Sequence, residues 1–193
     1  MKKELIIISV LGLVIFASGC LNLGVGNQTG NNNQASNIPT ENFNNGQFSF
    51  NYPSIWKIND TRSDDSITFV DVGTSGMYNT DNLEAAGAII IKFSESSPTS
   101  ASEYKNTLVQ ALGTTAGTKT DTGTVSIDGV TGNVETYEGT NDKGHITQIK
   151  MITWEKNSSS YLMACIVRGA DLGNTLDSQK ANFDVIINSF QTQ

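Results

Sequence analysis

Cys20 is the residue best placed for chemistry. It closes Ala17-Ser18-Gly19-Cys20, behind an apolar run from Leu5 to Ala17 and a basic start at Lys2 and Lys3. That order of basic, apolar and small residues is the order of an export signal, with side chains small enough for a peptidase cleft beside the cut. A thiol at this point can take a diacyl or dialkyl glyceryl group and become the first residue of a chain fixed to lipid, so Cys20 is expected to be a lipidation site. Two chains on one glyceryl group anchor stably, since each buried methylene contributes about 0.8 kcal/mol. Ala17 stands at the third position before the cysteine, where such signals more often carry Leu, which leaves the efficiency of processing open. The competing readings are an ordinary cleaved signal and an uncleaved membrane helix. A spanning helix needs about 20 apolar residues, more than Leu5 to Ala17 supplies.

Carboxylates are the next chemical group. Asp60, Asp64, Asp65 and Asp71 could offer oxygens to a hard cation such as Ca²⁺. They lack EF-hand spacing, and a solvated acidic loop is the plainer reading of Asp60 to Asp65. These four are the metal candidates; no cofactor is expected. The single histidine, His145, lies in Lys143-Gly144-His145-Ile146 at a hairpin exit. One imidazole excludes a His-rich metal cluster, and no serine stands in a G-x-S-x-G setting, so no catalytic residue is assigned and the chain is read as a non-enzyme.

With Cys20 committed to lipid, Cys165 has no internal disulfide partner, and within the apolar run Tyr161 to Val167 it should behave as a small buried hydrophobe. Trp56, Trp154, Tyr137 and Tyr161 could line an aromatic groove, although aromatics at strand positions usually fill cores. For Trp154, near the Asn157 to Ser160 turn, core packing is the leading reading, and a partly exposed ring would make it the candidate for partner binding. Gly24-Val25-Gly26 with Gly30 opens no helix and is discarded as a phosphate loop. Asn27, Asn59 and Asn157 head N-x-S/T sequons, which matter only where the host glycosylates exported proteins.

These residues sit in a 193-residue chain of net charge −7, one unit more negative without Met1 to Gly19, which hold Lys2, Lys3 and Glu4. Without a basic stripe the chain should avoid nucleic acid. Three segments follow: a signal over 1–19, a lipidated tether over 20–42 and one domain over 43–193. The tether is Gly, Asn, Gln, Ser and Thr with too little apolar surface to fold. As a Gly-rich coil it reaches on the order of 25 Å.

In the domain, Phe48, Phe50 and Tyr52 alternate with Gln47, Ser49 and Asn51, the pattern of a half-buried strand, with Pro53 as its stop. Further strands are expected at Ile55 to Ile58, Ser66 to Val72 and Ala86 to Phe93, the last uniformly apolar and hence central. Ser100 and Glu103 are spaced as a capping box for a helix over Ala101 to Leu112 that ends at Gly113. Strands over Thr118 to Ile127, Val130 to Glu138, His145 to Glu155 and Tyr161 to Arg168 are joined by hairpin signals at Asp128-Gly129, Asn141 to Gly144 and Asn157 to Ser160. Leu176, Phe183, Ile186, Ile187 and Phe190 are spaced as a closing amphipathic helix. Hairpins rather than helical crossovers make the fold class α+β, with an antiparallel sheet of about seven or eight strands.

Phe48 to Ile58 (FSFNYPSIWKI), the middle helix after SESSPTSASEY, and the ending Ile186 to Phe190 (IINSF) resemble a PsbP-like domain over about Phe43 to Gln191. The resemblance implies an antiparallel sheet sandwiched between helices, and non-catalytic modules that dock on larger assemblies. It supplies no site residues, and fold alone does not give function. The expected function is therefore a surface-anchored, non-enzymatic, PsbP-like lipoprotein on the extracytoplasmic side of the cell membrane. It would dock on an envelope protein through a sheet edge or the loops at one end. The alternative is a small-ligand or cation-binding lipoprotein, with a pocket between the sheet and the Ala101 to Leu112 helix.

Overall fold

A computed structural model describes residues 38–75, 84–112, 117–141 and 143–193. Cys20, Asn27 and Gly113, and the expected signal, lie outside the described residues, as does the tether up to residue 37.

Seven strands form one antiparallel sheet in the order β3-β4-β5-β9-β8-β7-β6. They are β3 (Lys57–Ser63), β4 (Ile67–Gly73), β5 (Ala85–Phe93), β6 (Thr118–Ile127), β7 (Val130–Thr140), β8 (Ile146–Lys156) and β9 (Ser159–Arg168). Tight turns explain most of these neighbours. Asp128 and Gly129 have φ of 51° and 76°, and Asn157 and Ser158 have φ of 50° and 58°, the left-handed pair that matches the twist of a two-residue hairpin. The β5–β9 pairing, Ala85 opposite Arg168 through Phe93 opposite Ser160, joins the early strands to the later meander. Its apolar run puts β5 and β9 near the middle, covered on both faces.

One face is covered by helix α1 (Ala101–Leu112), which packs Ala101 and Tyr104 on Ile91, Phe93, Met151 and Leu162. The expected capping box forms: the Ser100 N–H donates to Glu103 Oε2 at 2.9 Å, and the Glu103 N–H donates to Ser100 Oγ at 3.3 Å. The other face is covered by helix α2 (Lys180–Ser189) and a second, three-stranded sheet in the order β1-β2-β10. Its strands are β1 (Thr40–Asn44), β2 (Phe48–Pro53) and β10 (Gln191–Thr192). Phe48, Phe50, Trp56, Phe183, Ile186 and Phe190 fill the space between that layer and Val70, Ile90, Ile152 and Met163. Fully burying each such side chain contributes about 1.5–3 kcal/mol, so this larger core dominates stability.

Two expectations on element bounds are corrected. Thr40 to Asn42, assigned to the tether, belong to β1, which pairs with β2 from Thr40 opposite Pro53 to Asn44 opposite Ser49. Pro53 ends β2 as expected, at a terminal position where a missing N–H costs little. Leu176 precedes α2, in the turns that follow a short 3₁₀ segment at Ala170–Leu172. The second sheet went unread because β10 comes from the far end of the chain, pairing Gln191 with Ser49.

Candidate functional site

The sheet leaves two edges, β3 and β6. In the β6–β7 hairpin, Ile127 and Val130 flank the two-residue turn and exchange hydrogen bonds. Alternation then turns the backbone of Val125 and Gly123 toward β7, and the N–H and C=O groups of Thr122, Thr124 and Ser126 outward. The Thr122 N–H is met by its neighbour's carboxylate, Asp121 Oδ1 at 2.8 Å. From Thr122 to Ile127 the register is regular and uncharged, and the bulge between Lys119 and Asp121 lies before it. Residues 118–124 are exposed, while Val125 and Ile127 turn into the larger core. Paired residues share a face, so Thr124 with Asn133 and Ser126 with Thr131 form a polar strip beside the edge. Helix α1 lies over β5, β8 and β9 and leaves that strip open.

The β3 edge differs. It carries Lys57, Asp60 and Arg62, and a bulge at Asn59 breaks its register. Arg62 Nε pairs with Asp60 Oδ2 at 2.9 Å. Ser63 Oγ accepts from Gln47 Nε2 at 3.2 Å, tying the end of the strand to the β1–β2 turn. A long, flat, uncharged edge is a template for strand addition, whereas charge and bulges blunt one.

The four aspartates do not gather. Asp60 and Asp71 are cross-strand partners, and Asp71 is buried with Oδ1 reached by Asn59 Nδ2 at 3.5 Å. Asp64 closes the β3–β4 turn, accepting from the Ser66 and Ile67 N–H groups at 2.7 and 2.8 Å, and Asp65 is exposed. Among the described residues no three His, Cys, Asp or Glu side chains are placed to share an ion. Of the sequons, Asn59 and Asn157 are both exposed.

Trp154, the partner-binding candidate, is corrected: it is 3% exposed, stacked on Tyr161 at 5.1 Å and edge-on to Phe190 at 5.1 Å. Its strand position turns the ring inward beneath α2, so it holds the core and cannot meet a partner. Trp56, Tyr137 and Tyr161 are buried too. Cys165 is wholly enclosed, and burial pushes its thiol up to about 12, which leaves it unreactive. His145 Nδ1 lies 2.9 Å from Asp171 Oδ2, and Asp171 Oδ1 accepts the Ile146 N–H at 3.0 Å. The hydrogen bond to His145 holds the Asp171 carboxyl below its usual range. The pair fixes the Ala170–Leu172 turn.

One charged cluster has no sequence signal, because its members meet only across strands. Glu135 Oε2 accepts from Lys105 Nζ of α1 and from the Tyr137 hydroxyl, both at 2.6 Å, with Lys119 Nζ 3.6 Å from Oε1. The Lys105 and Tyr137 hydrogen bonds lower the Glu135 carboxyl, while burial first and Glu135 second push Tyr137 up to about 12. The cluster pins α1 to the strand beside the β6 edge. At the N-terminal end of α1, a groove of about 620 Å³ is lined by Ser94, Ser97, Ser100, Asn157 and Ser160 among others. It touches only the first turn of α1, so it is not the pocket expected between sheet and helix. Ser160 Oγ there accepts the Ala101 N–H at 2.9 Å.

The sequence model of the family described as PsbP-like protein matches residues 5–192. Among solved structures, LpqN of Mycobacterium tuberculosis, described as involved in cell envelope biogenesis, is similar at 11% identity and a TM-score of 0.45, over 81% of this chain and 87% of that one. The cyanobacterial PsbP protein of Synechocystis is similar at 12% identity and a TM-score of 0.45, over 85% and 98%. No curated protein matches the chain.

Proposed function

Because the chain belongs to the family of PsbP-like proteins, we propose that it is a non-enzymatic docking module of the cell envelope. In this reading lipid on Cys20 holds it to the extracytoplasmic face of the membrane, and an envelope protein adds an extended segment to β6. The observation that carries the reading is the regular, uncharged stretch Thr122 to Ile127 at an edge that no strand of the described residues pairs, set against the charged and bulged β3. Main-chain hydrogen bonds would supply affinity, and the flanking Asn133 and Thr131 would help select the incoming side chains. The net negative charge supports a protein partner over nucleic acid.

Chemical cross-linking of the native protein in intact cells, read by mass spectrometry, tests this. The reading expects one dominant neighbour joined through Lys119 and the β6–β7 region, and lost when Thr124→Lys puts a charge on the edge. Contacts scattered over the domain and unaltered by Thr124→Lys would refute it. Lipid attachment has its own assay: radiolabelled lipid should enter the wild-type chain and be absent from Cys20→Ser.

A further inference from the structure

Two large hydrophobic side chains are exposed among the described residues, Ile55 at 74% and Leu172 at 47%. They lie at the same end of the molecule. Ile55 precedes the first residue of β3, Lys57, whose register runs across through Gly73 and Gly87 of β4 and β5. Leu172 follows Arg168, which pairs with Ala85 at the start of β5. Three strand spacings separate β3 from β9, roughly 14 Å.

Both are presented by fixed turns. The Trp56 N–H donates to the Pro53 carbonyl at 2.8 Å and the Trp56 ring is 2% exposed, so the turn that shows Ile55 to solvent is nailed down on its far side. Leu172 is held between Gly169 and Gly173, at φ of 88° and 92°, with its N–H donating to the Gly169 carbonyl at 2.9 Å. The Asp171 contacts with His145 and Ile146, and Asn174 Nδ2 donating to the Arg168 carbonyl at 2.7 Å, lock that turn to β8 and β9.

The chain also enters the domain here. The Pro39 carbonyl accepts the Ser54 N–H at 2.8 Å, so the segment leading back to Cys20 departs beside Ile55. A Gly-rich composition of that length would reach on the order of 25 Å as a coil, which would keep this end at high effective concentration near any lipid that Cys20 enters. The geometry points to this end of the sheet resting on the lipid surface, with Ile55 and Leu172 entering the headgroup layer and the strands standing away from the membrane. The inference rests on the lipid-anchor reading above. Lys57, Glu84, Lys143 and Asp171 are exposed charges of both signs at this end, so no excess of positive charge calls for anionic lipid. In this pose the β6 edge faces sideways, toward a neighbour on the same membrane.

The test uses the lipidated full chain on phosphatidylcholine vesicles, with an environment-sensitive dye on single cysteines: Ile55→Cys, Leu172→Cys, Thr124→Cys on the edge, and Asp65→Cys at the opposite end. Lipid occupies Cys20 and burial shields Cys165, so labelling is confined to the new thiol. All four sites are exposed or part of fixed turns, and thermal melts of the labelled proteins verify folding. The inference expects blue-shifted emission and quenching by brominated lipid at 55 and 172, and water-like emission at 124 and 65. A wild-type chain that fails to float with vesicles overturns the anchor reading and this inference together. A chain that floats, while 55 and 172 emit like 65, overturns the inference alone.

Discussion

Strands β3 and β6 both end the seven-stranded sheet, yet β3 carries Lys57, Asp60 and Arg62, a bulge at Asn59 and a tie to Gln47, while Thr122 to Ile127 of β6 is straight and uncharged. Exposed edges invite unwanted pairing, and charge, bulges and cover are the usual defences. One edge has those defences and the other lacks them over six residues. Both edges pair with a hairpin neighbour and belong to the same sheet, so fold alone does not require the difference. What distinguishes β6 is an uncharged, regular run of outward backbone groups at Thr124 and Ser126, and that makes it the site of docking in this account.

The largest expected effect breaks the edge itself. Gly117, just before β6, has φ of +70°, and a Cβ there would stand 1.7 Å from the Glu138 carbonyl oxygen. Gly117→Ala should therefore cost about 3 kcal/mol or more in urea unfolding, by strain and steric conflict combined. Lys57→Ala at the start of β3 should stay within about 0.5 kcal/mol. Equal costs would remove the claim that β6 is held in place by a special backbone site.

A smaller change should separate docking from stability. Ser126→Lys places a charge on the open edge without touching the core, and partner capture should fall about tenfold, the equivalent of roughly 1.4 kcal/mol, with an unchanged melting temperature. Thr61→Lys on β3 should leave capture as it was. Loss of capture in Thr61→Lys with none in Ser126→Lys would reverse the assignment of edges.

The Glu135 cluster beside β6 sharpens the comparison through pH. Its carboxyl is held below the usual range by the Lys105 and Tyr137 hydrogen bonds. A lowered folded pKa stabilises the protein above the unfolded value, about 4.3 for Glu, and that stabilisation is lost as pH falls through the folded pKa. Stability should therefore decline below about pH 4, and Glu135→Gln should flatten that decline, at a cost near 1 kcal/mol at neutral pH. Tyr137 acts at the other limit. Its raised pKa, up to about 12, leaves its contribution complete below about pH 10 and removes it as pH rises beyond that. An acid limb identical in Glu135→Gln and wild type would contradict the role given to the cluster.

The smallest effect concerns the aspartates near β3. With Asp64 engaged by the turn and Asp60 by Arg62, millimolar Ca²⁺ should shift the melting temperature by less than about 1 °C, because only binding to the folded state stabilises it. An upward shift of several degrees would place a ligand site on the defended edge.

Much of the architecture was legible where the signals are local. Ser100 and Glu103 announce α1 four residues at a time, and Asp128-Gly129 and Asn157-Ser158 announce two hairpins. What escaped depends on distant residues meeting. β1 and β10 become strands only because β2 lies between them, and the burial of Asp71, within the expected strand Ser66 to Val72, shows only once that strand is placed beside β3. Trp154 illustrates the limit within one strand: alternation allows either face, and only the position of Phe190 and Tyr161 turns the indole inward. The β6 edge itself could not be read, since strand order in the sheet is set by the β5–β9 pairing and not by the sequence of Thr118 to Ile127.

A photoreactive amino acid at Thr124 on β6, compared with the same residue at Thr61 on β3, tests the central claim most directly when both are irradiated in intact cells. Docking through β6 predicts one dominant adduct from position 124, abolished by adding Ser126→Lys, and none from position 61. An adduct from position 61 with none from 124, or equal adducts insensitive to Ser126→Lys, would contradict it.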